Sequence, residues 1–158
     1  VRPIDVMKSA WDCTLESEGA DFVLRLGLRM VKHLSYTGAK RLLDARQHRV
    51  FASVDDLAHR ALLERGYLRA LASANALSTL VQHHRRQAGW LVSGIEKPSP
   101  VFPKPHIREA TPLLNPPHAG EQACADYAST GLTLGPHPLA MLRTQIRALG
   151  VLPSDDTA

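Results

Sequence analysis

Apolar residues recur at helical spacing on both sides of a short polar interruption within residues 29–46. The pattern predicts helix, tight hairpin, helix. Val31 and Leu34 anchor the turn, and Ala39, Leu42, Leu43 and Ala45/Arg46 give the second helix one buried stripe and one cationic face. Ser35 is placed to cap that helix, because its hydroxyl can accept from a backbone N–H of the first turn. Upstream the period changes to two. Phe22, Leu24, Leu26 and Leu28 alternate with Val23, Arg25 and Gly27, which predicts a strand over residues 21–28. It pairs with residues 12–16 across a turn at Gly19, with Trp11 as an anchor just before.

Downstream, Ser53 followed three residues later by Asp56 reads as a helix start. A helix over residues 54–61, an interruption at 62–66 and helix-spaced positions at Tyr67, Leu68, Leu71, Ala72 and Leu77 describe a second, degenerate hairpin. Its three acids and three bases balance, so its expected role is to brace the first. Residues 82–91 are expected to form another basic helix ending in Trp90 and Leu91. Arg85 and Arg86 there face either nucleic acid or plain solvent. Seven of the eleven prolines lie between residues 97 and 117. They remove donors and forbid a continuous helix, so this span is expected to be an extended linker and mobile tether. Helices over residues 121–129, ended by Gly131, and 139–149 close the chain around a proline corner. The fold expected is mainly α: a tandem helix-hairpin-helix module with a small N-terminal β-hairpin, a Pro-rich linker and a C-terminal helical pair.

Charge sharpens this picture. Residues 25–49 hold seven Lys/Arg (Arg25, Arg29, Lys32, Lys40, Arg41, Arg46, Arg49) against Asp44, a segment net of +6 in a chain of +4. The N-terminus of a helix offers unpaired N–H groups and a positive dipole end, so a phosphate can sit there, with Lys32, Lys40 and Arg41 close by. The competing reading is a merely solvated cationic face. Aromatic content of 5% beside 44% hydrophobic residues favours helices over a β-sandwich.

Catalytic patterns are missing: there is no Walker loop, GxGxxG after a strand, HExxH or GxSxG. Asp55 and Asp56 are adjacent at a helix start and read as a capping feature. His83 and His84 point about 100° apart on a helix and cannot share a metal as an i, i+4 pair does, so no zinc is expected. Cys13 and Cys124 form no CxxC, consistent with reduced thiols of a cytoplasmic protein. No apolar run reaches the roughly 20 residues of a membrane span. A first residue that is Val, not Met, and a polar tail read as a piece cut from a longer protein.

Several ordered motifs then resemble a known family: Val-Arg-Pro-Ile-Asp-Val at 1–6, Trp-Asp-Cys-Thr-Leu-Glu at 11–16, Leu-Arg-Leu-Gly-Leu-Arg at 24–29, Phe-Ala-Ser-Val-Asp-Asp-Leu at 51–57, Arg-Arg-Gln-Ala at 85–88 and Thr-Gly-Leu-Thr-Leu-Gly-Pro-His-Pro-Leu at 130–139. They are similar to the error-prone branch of the bacterial C-family DNA polymerase alpha subunit, across nearly the whole chain. The resemblance implies that residues 1–28 end a preceding fingers region and that 29–95 form the tandem DNA-binding module. It makes 96–118 a linker and 119–158 the approach to an OB-fold outside this chain. It implies a non-catalytic segment of a DNA-directed DNA polymerase of translesion synthesis. Double-stranded primer-template would be its partner, with accessory proteins and the sliding clamp engaged through the intact protein. The palm aspartates and their Mg2+ lie outside these residues. The family's Lys-Gly-Leu/Val-Gly/Ser hairpin falls on Lys32, His33, Leu34 and Ser35, so His33 stands where glycine is usual. A side chain there resists positive φ and close phosphate approach.

Two further readings stay open. One is a free-standing helical adaptor that binds protein; the other is the same region of a replicative alpha subunit, which the Trp-Asp-Cys-Thr-Leu-Glu stretch disfavours.

Overall fold

A computed structural model describes residues 1–95, 112 and 114–149. Strands β1 (Thr14–Glu18) and β2 (Asp21–Arg25) form an antiparallel ribbon in which Leu15 faces Leu24 and Ser17 faces Phe22. The loop is Gly19-Ala20, and Gly19 takes φ 66°, the arrangement a two-residue hairpin needs to match strand twist.

The second strand stops at Arg25, three residues before the alternation predicts. At Gly27 the chain crosses so close to residues 11 and 12 that a Cβ would lie 2.4 Å from the Trp11 carbonyl oxygen. Leu28 N–H donates to Ala10 O at 2.9 Å and Arg29 N–H to Trp11 O at 3.0 Å. Leu26 and Leu28 are therefore both buried, and a 3₁₀ turn at Leu28–Met30 leads into the first hairpin.

Helices α1 (Tyr36–His48), α2 (Val54–Arg60), α3 (Arg65–Ser73), α4 (Ser78–Val81) and α5 (Arg85–Ser93) follow. Their inward stripes meet in one core where Leu42, Leu57, Leu68, Leu71, Leu77 and Val92 are fully buried. Ser35 and Ser53 cap α1 and α2 by accepting from Gly38 N–H and Asp56 N–H. Asp56 also accepts from Ala52 N–H, and that bond, with Arg60 and Arg49 nearby, holds its carboxyl below the usual range. Helix α3 ends in a Schellman motif: Asn75 takes φ 56°, and Ala76 N–H reaches back to Leu71 O at 2.9 Å.

Residues 1–28 are not peripheral to this core. Ile4, Val6, Leu26 and Leu28 belong to the same buried cluster as the helices. Val6 N–H donates to Ala76 O, and the buried Asp5 accepts from Met7 N–H and from Thr79 Oγ1. Ser9 donates to Leu26 O at 2.7 Å.

The basic helix begins later than predicted. Gln82 takes φ 56° and closes α4, His84 is extended, and α5 starts at Arg85. Most of the Pro-rich span lies outside the described residues, but its far end is not free. Gln87, itself buried, donates to Pro112 O at 3.0 Å and accepts from Leu114 N–H at 3.3 Å. Arg86 donates to Asn115 O. This corrects the tether expectation for residues 112 and 114–115, which are tied to α5. Helices α6 (Ala119–Ser129) and α7 (Pro138–Ala148) complete the described chain, each capped by a histidine, His118 and His137.

Candidate nucleic-acid interface

The first hairpin is built from Val31, Lys32, His33, Leu34 and Ser35. Val31 and Leu34 are buried and hold the turn to the core. Leu34 thus points inward, and its N–H donates to Val31 O at 3.3 Å. His33 is exposed and adopts φ 66°, the left-handed conformation that the family's glycine would take without strain. A side chain at this position is therefore accommodated, at the cost of a less favourable backbone.

Beyond the turn, the Ser35 hydroxyl lies 2.9 Å from the Tyr67 hydroxyl while accepting from Gly38 N–H at 3.1 Å. Gly38 lies so close to the Tyr67 ring that a Cβ would sit 3.0 Å from it. The sequence placed Tyr67 on a helical stripe and Ser35 at a cap but did not bring them together; their contact fixes the start of α1 against α3. Among the described residues, the N–H groups of Ser35, Tyr36 and Thr37 have no protein acceptor. They form an unfilled donor cluster at the positive end of a 13-residue helix. Lys40 lies one turn further along, exposed and unpaired among the described residues. Arg41 is half-buried with its Nε lacking a partner.

The other cations of the +6 segment serve the fold. Arg25 is buried and pairs with Glu16, donating also to Pro3 O. Arg29 pairs with Asp12 at 2.7 Å and Arg49 with Asp56 at 3.0 Å. Arg46 donates to Val6 O, and burial pushes its guanidinium below its ordinary value. Lys32 is exposed, yet its N–H donates to Ser129 O at 2.8 Å and its Nζ to Tyr127 O at 2.9 Å.

Two outward cations were expected at Arg85 and Arg86, and Arg85 fails that expectation. It is 8% exposed, pairs with Asp126 and donates to Ser73 O. Arg86 is exposed but pairs with Glu121 at 2.7 Å. The cause is α6, whose acids and last carbonyls lie over this part of the module, an arrangement no local pattern in the sequence could announce. Glu121 accepts from His118 N–H, and this bond, with Arg86, lowers its carboxyl from the usual range. Among the described residues no three His, Cys, Asp or Glu gather as a metal site. No helix of the described residues is long and apolar enough to cross a membrane.

Two hairpins joined through one core, the first presenting an open helix N-terminus, define the class, and the chain belongs to the helix-hairpin-helix family: the family described as "Helix-hairpin-helix motif" matches residues 1–88. Beyond the motif, the chain is similar to proteins named "Error-prone DNA polymerase". That of Alkalilimnicola ehrlichii is 48% identical over 159 residues, covering 100% of this chain and 15% of that protein. Those of Methylococcus capsulatus and Pseudomonas aeruginosa are 43% and 44% identical over 95% and 93% of this chain. The chain thus spans about 15% of the length of the curated relatives it matches.

Proposed function

We propose that this chain is the non-catalytic, DNA-backbone-binding segment of an error-prone DNA polymerase that acts in translesion synthesis, and that the intact protein is a cytoplasmic DNA-directed DNA polymerase. The observation that carries the reading is the donor cluster of Ser35, Tyr36 and Thr37 at the start of α1, flanked by Lys32 and Lys40, in a chain 48% identical over its length to a protein of that name. Neutral N–H groups and a helix dipole position a phosphate but read no base, so binding to primer-template duplex is independent of sequence. Accessory proteins and the sliding clamp would act through other parts of the intact protein.

The test is fluorescence anisotropy with a labelled duplex across a salt titration. With Lys32 and Lys40 the main mobile cations at the hairpin, log K should fall with log salt at a slope of about −2. Replacing both with alanine should weaken every duplex equally and flatten the slope toward zero, with folding retained, since exposed charges contribute about 0–1 kcal/mol each. Binding of equal strength at low and high salt would refute the reading.

A second reading, a protein-binding module, is favoured by one feature: Leu15, Phe22 and Leu24 share one face of the ribbon and are exposed. A contact through that face would persist at high salt.

A further inference from the structure

Helix α6 meets the cations of α5 in two different ways. Arg85 and Asp126 are both largely buried, and Asp126 is held further by Thr133 Oγ1 at 2.8 Å. Arg86 and Glu121 pair at 2.7 Å with both side chains 43% exposed. The first pair belongs to the fold, because a buried charge that loses its partner is costly. The second lies in water, where an ion pair contributes little and one anion can be exchanged for another.

Glu121 has two tasks that can be separated. Its Oε2 accepts from His118 N–H at 3.1 Å, which completes a capping box at the start of α6, and the same oxygen accepts from Arg86. The cap needs an acceptor oxygen but no charge, and glutamine serves there as glutamate does. What the charge adds is its hold on Arg86. That guanidinium borders the same open space as Lys32, His33 and Arg69, beside the first hairpin. Lys32 is held from α6 as well, its Nζ donating to Tyr127 O at 2.9 Å.

We propose that this contact is autoinhibitory: Glu121 stands on Arg86 in the place of a DNA phosphate and keeps that cation out of the duplex contact. The inference rests on the DNA-binding reading and adds to it a restraint that the chain sets on its own grip. A guanidinium offers the same fork of N–H donors to a carboxylate as to a phosphate, so one group can stand in for the other. The carboxylate also repels phosphates that lie within the screening length, about 8 Å at physiological salt. Tyr127 O, by contrast, is a neutral acceptor, and it leaves the charge of Lys32 to attract a phosphate. Of Lys32 and Arg86, α6 therefore tethers the first and neutralises the second.

The experiment follows the anisotropy of a labelled blunt duplex on the full chain across a salt titration, for the parent, Glu121→Gln, Arg86→Gln and the double variant. Glu121→Gln retains an oxygen for His118 N–H, so the cap and the melting temperature should be kept. It should tighten binding by about threefold and steepen the slope of log K against log salt by about one, since one more phosphate is neutralised. In the Arg86→Gln background the same change should leave the slope unaltered, and Arg86→Gln alone should not flatten the slope of the parent. Glu121→Gln with affinity and slope both unchanged would overturn the inference, by showing that Arg86 reaches no phosphate. A steeper slope that persists without Arg86 would overturn it too, because the carboxylate would then act on the DNA directly. So would a flatter slope for Arg86→Gln alone, which would put Arg86 on a phosphate with Glu121 still in place. Glu121→Gln melting well below the parent would also overturn it, since the pair would then belong to the fold as Arg85 and Asp126 do. Failure of the parent to bind the duplex at any salt would instead refute the function on which the inference rests.

Discussion

Replacing Asp126 by asparagine should loosen the hold of α6 on the hairpin module and lower the stability of the chain. One Asp126 oxygen pairs with Arg85 and the other accepts from Thr133 Oγ1 at 2.8 Å. Arg85 is 8% exposed, and its other partner among the described residues is the Ser73 carbonyl at 2.8 Å. Asparagine keeps the shape but leaves a buried guanidinium without its counter-charge. Breaking a fully buried pair from one side costs about 3–5 kcal/mol. The Asp126 side chain is 18% exposed, so water can reach part of the site and about 2–3 kcal/mol is the expected loss. In a chain of this size that lowers the midpoint of thermal unfolding by roughly 5–10 °C, read by circular dichroism. Changing Arg85 and Asp126 together to leucine should recover most of the loss, because no uncompensated charge then remains buried. A single variant melting within about 1 °C of the parent would refute the assignment of this pair as a stabilising tie between α5 and α6.

Three further outcomes follow from the geometry. Glu16, held by Arg25 and then Arg2, titrates at about 2 against an ordinary 4.5; its stabilisation is complete above pH 4.5 and is lost as pH falls toward 2, so Glu16→Gln should flatten the acid limb of an unfolding-versus-pH curve, and an unchanged limb would rule this carboxylate out. Gly27→Ala forces a Cβ to within 2.4 Å of the Trp11 carbonyl oxygen and should destabilise by about 3 kcal/mol, with urea unfolding as the check. His33→Gly relieves a φ of 66° and should raise stability by up to about 1 kcal/mol with duplex affinity unchanged or tighter; weaker binding would make the imidazole a contact in its own right.

The hairpins were legible because their determinants are local. Ser35 and Ser53 are residue types that cap helices through a hydroxyl, and each does so here. Leu42, Leu57, Leu68 and Leu71 lie on inward stripes that periodicity finds. The misplaced boundaries have equally local causes of a less common kind. His118 and His137 cap α6 and α7 through Nδ1, a role outside the usual Ser, Thr, Asp and Asn set. Gln82 breaks a helix with a left-handed backbone that glutamine rarely adopts. Strand β2 ends early because Gly27 meets residues 11 and 12, a contact between segments that pattern along one segment does not contain.

The cation run misled for a related reason: a sum of charges along the chain counts side chains before the fold has used them. Arg25, Arg29 and Arg49 form ion pairs within the fold, and Arg46 donates to a carbonyl. What remains for a phosphate is less a field than a geometry. Lys32 N–H is held by Ser129 O, Leu34 N–H by Val31 O, and between them His33 is kept at positive φ. A turn fixed on both sides does not have to be ordered when a ligand arrives, so the N–H groups of Ser35, Tyr36 and Thr37 meet a phosphate without first losing conformational freedom. The contact of α6 with the hairpin therefore has two opposed effects, since it takes up the charge of Lys32 while fixing the backbone beside it. Lys32 Nζ is exposed and bound to a neutral carbonyl, so it can be exchanged for a phosphate at little cost, whereas the Ser129 bond to its N–H can persist when the side chain leaves.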